Sequence, residues 1–205
     1  MTEKEKMLAG KIYDPNGTEL RALRARAHAL CMKYNSTPET KSKKREKILS
    51  RLLPDKGEGA YIQGPAQFDY GVFTKVGKNF YANFNLTVLD TCPVTIGDNV
   101  FVGPNVSILT PLHPLRYEDR NPYVHPDGYG TDKEYGAPIT IGDNCWIAGD
   151  VKILAGAKIG SGCVIGAGSV VTSEIPDNYL AYGVPCKPIR KITAKDAIDL
   201  KKELF

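Results

Sequence analysis

From Ile141 onward an aliphatic residue returns at every sixth position, at Ile141, Ile147, Ile153, Ile159, Ile165 and Val171, without a miss. Residues six apart fall on different faces of an α-helix, and one continuous strand would need period two over a length few sheets have. The fifth place of each hexad is restricted as well, holding Val100, Val106, Cys145, Val151, Ala157, Cys163 and Ser169, all small or β-branched. Two positions in six therefore point inward, a demand that short strands separated by regular turns satisfy. Three such strands make one triangular coil of about 18 residues, and coils stacked about 4.8 Å apart line their aliphatic side chains into internal columns. Gly142-Asp143-Asn144 and Gly160-Ser161-Gly162 have the composition of the corners. Strict phase over six consecutive hexads argues against an ordinary β-sandwich with frequent turns.

The phase is looser upstream. Ile96, Val102 and Ile108 hold it, and before them Ile62, Phe68 or Tyr70, Val76, Ala82 and Val88 keep a register that reaches Ile96 only by skipping two residues. The larger break separates Ile108 from Ile141, 33 residues on and out of phase by three. A loop is expected to leave the coil at about residues 110–137, and long ordered loops are where sites are often built.

Before Gly57 the period is helical. Leu20, Leu23, Ala27, Leu30 and Tyr34 recur at spacings of three and four and form one apolar stripe that Asn35 can end. Thr37-Pro38-Glu39 reads as an N-cap with proline at the first helical position, and Ile48, Leu49, Leu52 and Leu53 form a patch before Pro54. The expected organisation is a helical cap over residues 1–56, too poor in core to stand alone, a repeat domain over 57–190 and a C-terminal helix over 191–205.

Composition removes several functions. At 42% hydrophobic and 24% charged residues, with no apolar run near the roughly 18 residues of a membrane span, a membrane protein is excluded. Met1-Thr2-Glu3-Lys4-Glu5-Lys6-Met7 is charged from the outset, unlike a signal peptide, so the expected location is cytoplasmic. The net charge of +4 is modest, and its basic excess lies mostly between Lys41 and Arg51 with no interleaved aromatics, which reads as a solvated helix face and not a nucleic-acid surface. Cys31, Cys92, Cys145, Cys163 and Cys186 form an odd set without a C-x-x-C pair, so buried reduced thiols are expected instead of disulfides or a zinc site. No P-loop is present, because Gly77 falls one residue too far from Gly71 and Asn79 stands where Ser or Thr should follow Lys78.

Asn79-Phe80-Tyr81-Ala82-Asn83-Phe84-Asn85-Leu86-Thr87, Ile96-Gly97-Asp98-Asn99-Val100, His113-Pro114, Ile141-Gly142-Asp143-Asn144-Cys145-Trp146-Ile147 and Gly183-Val184-Pro185-Cys186, with Met7-Leu8-Ala9-Gly10 near the start, closely resemble the maltose and galactoside O-acetyltransferases over nearly the whole chain. The resemblance implies a mainly β fold, a left-handed parallel β-helix of hexapeptide repeats with an N-terminal helical cap. It implies an acetyltransferase that moves acetyl from acetyl-CoA to a hydroxyl of a sugar or related small acceptor, with no metal and no acyl-enzyme.

His113 falls at the family's catalytic His-Pro, and a neutral imidazole can take the proton of a hydroxyl as its oxygen attacks a thioester carbonyl. The resemblance assigns Asn83 to the reacting groups, and Asp14, Arg24, Asp69, Tyr81 and Asn83 to the acceptor. For acetyl-CoA it points to Trp146, Gly149, Ala167, Thr172, Ser173, Lys187 and Arg190: small side chains admit a pantetheine arm, cations meet phosphates, and the Gly149 N–H is the candidate oxyanion donor. Thr91 stands where the family often has a second acid, and Ser173 where a lysine is common. The family also implies a homotrimer with active sites between subunits. Competing readings are an acetyltransferase for a non-sugar hydroxyl or xenobiotic, a zinc site built on His28, His113 and His125, and a non-catalytic binding platform.

Overall fold

The computed structural model describes residues 1–204. Its repeat region is a parallel β-solenoid with three faces. The first carries Tyr61–Ile62, Tyr81–Ala82, Phe101–Val102, Trp146–Ile147, Val164–Ile165 and Tyr179–Gly183; the second, Ala66–Phe68, Leu86–Leu89, Ser107–Leu109, Lys152–Leu154 and Val170–Val171; the third, Thr74–Val76, Val94–Ile96, Ile139–Ile141, Lys158–Ile159 and Glu174–Ile175. Five coils are complete and a sixth begins, then turns back as an antiparallel strand, Cys186–Lys191, that closes the first face.

Every aliphatic of the strict hexads is buried, from Ile141 to Val171, and so are the small fifth-place residues. Each buried Ile contributes on the order of 1.5–3 kcal/mol, so the columns dominate the fold's stability. Register explains the looser upstream phase. Tyr61 pairs with Tyr81 and Tyr81 with Phe101, 20 residues apart, whereas Trp146 pairs with Val164, 18 apart. The two extra residues of the early coils sit at the edge between the second and third faces, at 69–73 and 90–93, and the long loop leaves the third coil at that same edge. Phe68 takes the inward place in the solenoid, while Tyr70 packs with Met7, Tyr13 and Leu20 in a second cluster under the cap.

The Ile-Gly-Asp-Asn corners follow from stacking. Asp98 accepts the Lys78 N–H at 2.7 Å, Asp143 that of Asp98 at 2.8 Å, Ser161 Oγ that of Asp143 at 3.1 Å and Asp177 that of Ser161 at 2.8 Å, so each side chain satisfies a backbone donor of the coil before it. The preceding glycine keeps the coils close: a Cβ on Gly142 would meet Ser161 N at 2.6 Å. Asn99 and Asn144 then take left-handed φ values of 55° and 57°, which asparagine tolerates, and their side-chain amides stack into a ladder.

Helices α1 (Glu3–Leu8), α2 (Thr18–Asn35) and α3 (Ser42–Leu52) cover the open end, and Ala27, Leu30, Cys31, Tyr34, Ile48, Leu49, Leu52 and Leu53 join the solenoid's own core. Thr37 does not start α3. Its buried hydroxyl donates to the Lys33 carbonyl at 2.6 Å, satisfying the end of α2, and α3 begins only at Ser42. Arg45 departs from the solvated face expected of its run. It is buried, donates to the carbonyls of Thr37, Ile62 and Gln63, and lies 4.2 Å over the Tyr34 ring, clamping the cap to the first coil. All five cysteines are buried and free. The expected C-terminal helix is instead three 3₁₀ turns, Ala194–Asp196, Ile198–Leu200 and Lys202–Leu204, because none of the described side chains there is buried against a partner face; Phe205 lies outside the described residues. Among the described residues no helix is long and apolar enough to cross a membrane.

Candidate active site

The loop that breaks the phase is ordered by contacts at both ends. Pro111–Leu112 pairs antiparallel with Tyr135–Gly136, which closes its neck, and Tyr123–Val124 pairs with Gly130–Thr131 nearer its tip. The N-terminal segment straps it down. Tyr13 forms a backbone bridge with Glu134 and its hydroxyl donates to Glu134 Oε2. Asp14 accepts from the hydroxyls of Tyr129 and Thr131, and Asn16 Nδ2 donates to the Gly130 carbonyl at 3.2 Å. Burial opposes ionisation of Asp14, but the Thr131 and Tyr129 hydroxyls and the Asn16 N–H outweigh it and hold the carboxyl below its ordinary range. Asp14 therefore anchors the loop.

His113 leaves the neck strand directly. Its Nδ1 lies 3.5 Å from Asp132 Oδ2, and the ligand atoms of His113, Asp132 and Glu134 all fall within 4.8 Å of one another. Asp132 and Glu134 reach the same side because alternate residues of an extended segment share a face, while Lys133 between them is exposed. With Nδ1 toward a carboxylate, the half-exposed ring keeps Nε2 for proton transfer, and Asp132 can orient the ring and balance the charge a gained proton creates. Burial pushes the Glu134 carboxyl up, against the pull of the Tyr13 hydrogen bond. These three groups could also offer three ligand atoms to a cation; the other histidines lie elsewhere, His28 beside Asp69 at 3.7 Å and His125 stacked on Tyr129, so no three-histidine centre forms.

Near this edge Arg24 donates to the Pro15 carbonyl, to Tyr70 Oη and to Asn16 Oδ1, which holds the strap to the cap. Asp69, in the first coil, has its carboxyl pushed up by burial and pulled back by His28 and Arg24. Thr91 is buried with its hydroxyl 3.1 Å from that of Thr110. Thr172 and Ser173 sit exposed at the same edge in the fifth coil.

The remaining candidates occupy the neighbouring edge or the face beside it. Tyr81 lies in an outward aromatic column, 6.2 Å from the Tyr61 ring and 6.1 Å from that of Phe101, and the register continues it to the exposed Trp146. Asn83 follows at the corner, where its Oδ1 accepts the Phe84 N–H at 2.8 Å. Two coils on, the Gly149 carbonyl accepts from the Gly168 N–H, while the Gly149 N–H itself has no acceptor among the described residues. Ala167 and Gly168 are exposed, and a Cβ on Gly168 would touch nothing within 4 Å, so this edge is a bare track with a free donor beside it. The closing strand supplies exposed Lys187 and Arg190, the latter paired with Asp196 at 2.7 Å. A narrow acyl-carrying arm with a phosphorylated end fits such a track and its cations.

One chain thus collects His113, Asp14, Arg24, Asp69, Thr172 and Ser173 near one edge, and Tyr81, Asn83, Trp146, Gly149 and Ala167 near another. Asn83 and His113 are not brought together. Sequence reasoning missed Asp132, Glu134 and Tyr13; the alternation of acids at 132 and 134 was the available signal, but only the fold shows that it faces His113.

Residues 6–57 match a maltose acetyltransferase hexapeptide capping motif, residues 138–173 a bacterial transferase hexapeptide model of six repeats, and residues 93–111 a hexapeptide repeat of succinyl-transferase. The chain is 41% identical over 192 residues to the galactoside O-acetyltransferase of Escherichia coli K12, covering 94% of this chain and 90% of that protein. A solved galactoside acetyltransferase in complex with coenzyme A superposes with a TM-score of 0.87 at 41% identity over 96% of this chain and 94% of the other. A maltose O-acetyltransferase from Clostridium difficile 630 gives 0.87 at 45% identity, covering 94% and 98%.

Proposed function

The chain belongs to the galactoside and maltose O-acetyltransferase family, so acetyl-CoA is its acetyl donor, and on that premise we propose that it transfers acetyl directly to a hydroxyl of a sugar or related small acceptor with His113 as general base. The thioester supplies an electrophilic acyl carbon. His113 Nε2 takes the acceptor's proton as the oxygen attacks, Asp132 holds the ring through Nδ1, and the free Gly149 N–H meets the oxyanion. The proton then leaves with the CoA thiol. The observation that carries this reading is the 3.5 Å approach of Asp132 Oδ2 to His113 Nδ1 on an ordered loop, which places a carboxylate at one nitrogen and leaves the other open.

Trp146, Gly149, Ala167, Thr172, Ser173, Lys187 and Arg190 line the coenzyme's path in this reading, and Asn83, Tyr81, Asp69, Asp14 and Arg24 serve the acceptor, the last two through the strap they hold. Residues 1–56 act as cap, 57–190 as catalytic solenoid and 191–205 as a C-terminal extension. Five free buried thiols suit a reducing compartment, hence the cytoplasm. Because the two groups of candidates sit on different edges, a closed trimer whose neighbouring edges face each other completes the site.

His113→Ala tests the base. The half-exposed imidazole takes no part in the core, so fold and coenzyme affinity should survive, while kcat, read as thiol released from acetyl-CoA with a sugar panel, should fall about 10²- to 10⁴-fold. A variant that keeps more than a tenth of wild-type kcat would place the base elsewhere.

A further inference from the structure

The site leaves Glu134 without a direct ion-pair partner among the described residues, its opposing charges, His113 and Arg24, acting on it only from a distance. The hydrogen bond it receives from Tyr13 comes from a neutral hydroxyl, and its carboxylate forms no salt bridge among the described residues. Arg24 donates its hydrogen bonds to Pro15, Tyr70 and Asn16 and favours the charged carboxylate without touching it, and Lys133 is exposed. Asp132, of like sign, faces the same imidazole within 4.8 Å. If His113 balances Asp132, one half-buried negative charge remains beside the base. Neutral hydroxyls can donate to it but do not cancel it; a cationic group does both.

We infer that the acceptor is an amino sugar or closely related amino alcohol, its ammonium held by Glu134 while a hydroxyl meets His113 Nε2. This rests on the acetyltransferase reading of the His113 site. An amine held as ammonium has no lone pair for attack, so the hydroxyl reacts: an O–C bond forms, the S–C bond breaks, and the hydroxyl proton passes through His113 to the CoA thiol. The product is an ester with its amine free.

The test uses the whole chain and acetyl-CoA at pH 7, with three matched sets: glucosamine, glucose and N-acetylglucosamine; the galactose equivalents; and a neutral and an amino glycoside of each. Thiol release gives kcat/KM, and hydroxylamine lability with mass spectrometry separates ester from amide. The amines should be preferred at least tenfold over both neutral forms, and Glu134→Gln, which keeps the Tyr13 hydrogen bond, should cut that ratio to near one. Equal use of neutral and amino acceptors by the wild type, an unchanged ratio in Glu134→Gln, or an amide product overturns the inference and leaves the base reading standing. Turnover of no acceptor, or His113→Ala as active as wild type, overturns both. The wild-type panel decides by itself should the variant not fold.

Discussion

The division of the candidates between two edges makes a quantitative prediction about mixtures. Asn83 precedes the Leu86–Leu89 strand and Asp90 follows it, so at about 3.3 Å per residue the edge bearing Asn83 and the edge bearing the His113 loop are roughly 20 Å apart across one face. Reacting groups must approach to about 3–3.5 Å, so one chain cannot join them. Two variants break the site from opposite sides. In the proposed site His113→Ala would remove the base, and Gly149→Phe would block the coenzyme's track. Gly149 lacks a positive φ and its Cβ would meet Pro104 at 3.4 Å, so the backbone accepts a side chain that projects over the proposed coenzyme path. Each variant alone should be inactive. After unfolding and refolding as an equal mixture, a ring in which each site takes His113 from one chain and Gly149 from its neighbour should regain about a quarter of wild-type activity, the chance that both halves are intact. Activity is read as thiol release, and exchange is checked by mass spectrometry of mixed rings. A mixture that stays inactive after verified exchange, or sedimentation as a monomer at working concentration, refutes the shared site.

Lys187→Ala should raise KM for acetyl-CoA and leave kcat nearly unchanged, since a contact to a remote phosphate is equal in ground and transition states; equal coenzyme affinity in variant and wild type, measured by calorimetry, removes Lys187 from the site. Asp90 predicts a pH effect on stability. Burial pushes its carboxyl up to about 6 despite hydrogen bonds from the Tyr70 N–H and the Thr74 hydroxyl, so the folded state favours the protonated form. Its contribution is full at low pH and is lost as pH rises from about 4 through 6, to a cost on the order of 3 kcal/mol. Asp90→Asn should flatten that part of the Tm-against-pH curve, and a variant curve parallel to wild type would refute it.

The solenoid was legible because each inward position carries its constraint in its own residue type. Ile147 or Val151 needs no distant partner to reveal that it is apolar and small enough for a column, and stacking repeats the demand every coil. The cap was legible only in outline. Thr37 and Pro38 have the residue types of a helix start, but the hydroxyl is drawn to the Lys33 carbonyl, and Arg45 looks like surface until three carbonyls of the cap and first coil converge on it. Both outcomes depend on tertiary partners.

The His113 loop shows the same boundary in sharper form. His113 was found through its His-Pro motif, while Asp132, two residues from Glu134, carries no motif and becomes meaningful only at 3.5 Å from Nδ1. That distance is set by contacts spanning the chain: Tyr13 to Glu134 and Asp14 to Thr131 and Tyr129 join residues more than a hundred apart. The edge itself prepared the place. The two coils before it already carry two extra residues there, so a longer excursion in the third coil leaves the inward columns untouched: Ile139 still pairs with Val94, and Phe101 with Trp146. A solenoid can therefore host new chemistry at this corner without altering its core, and the strap that orders the loop joins helical cap to active site. Loosening Asp14 or Tyr13 should reach His113 through the loop's geometry before it reaches the fold.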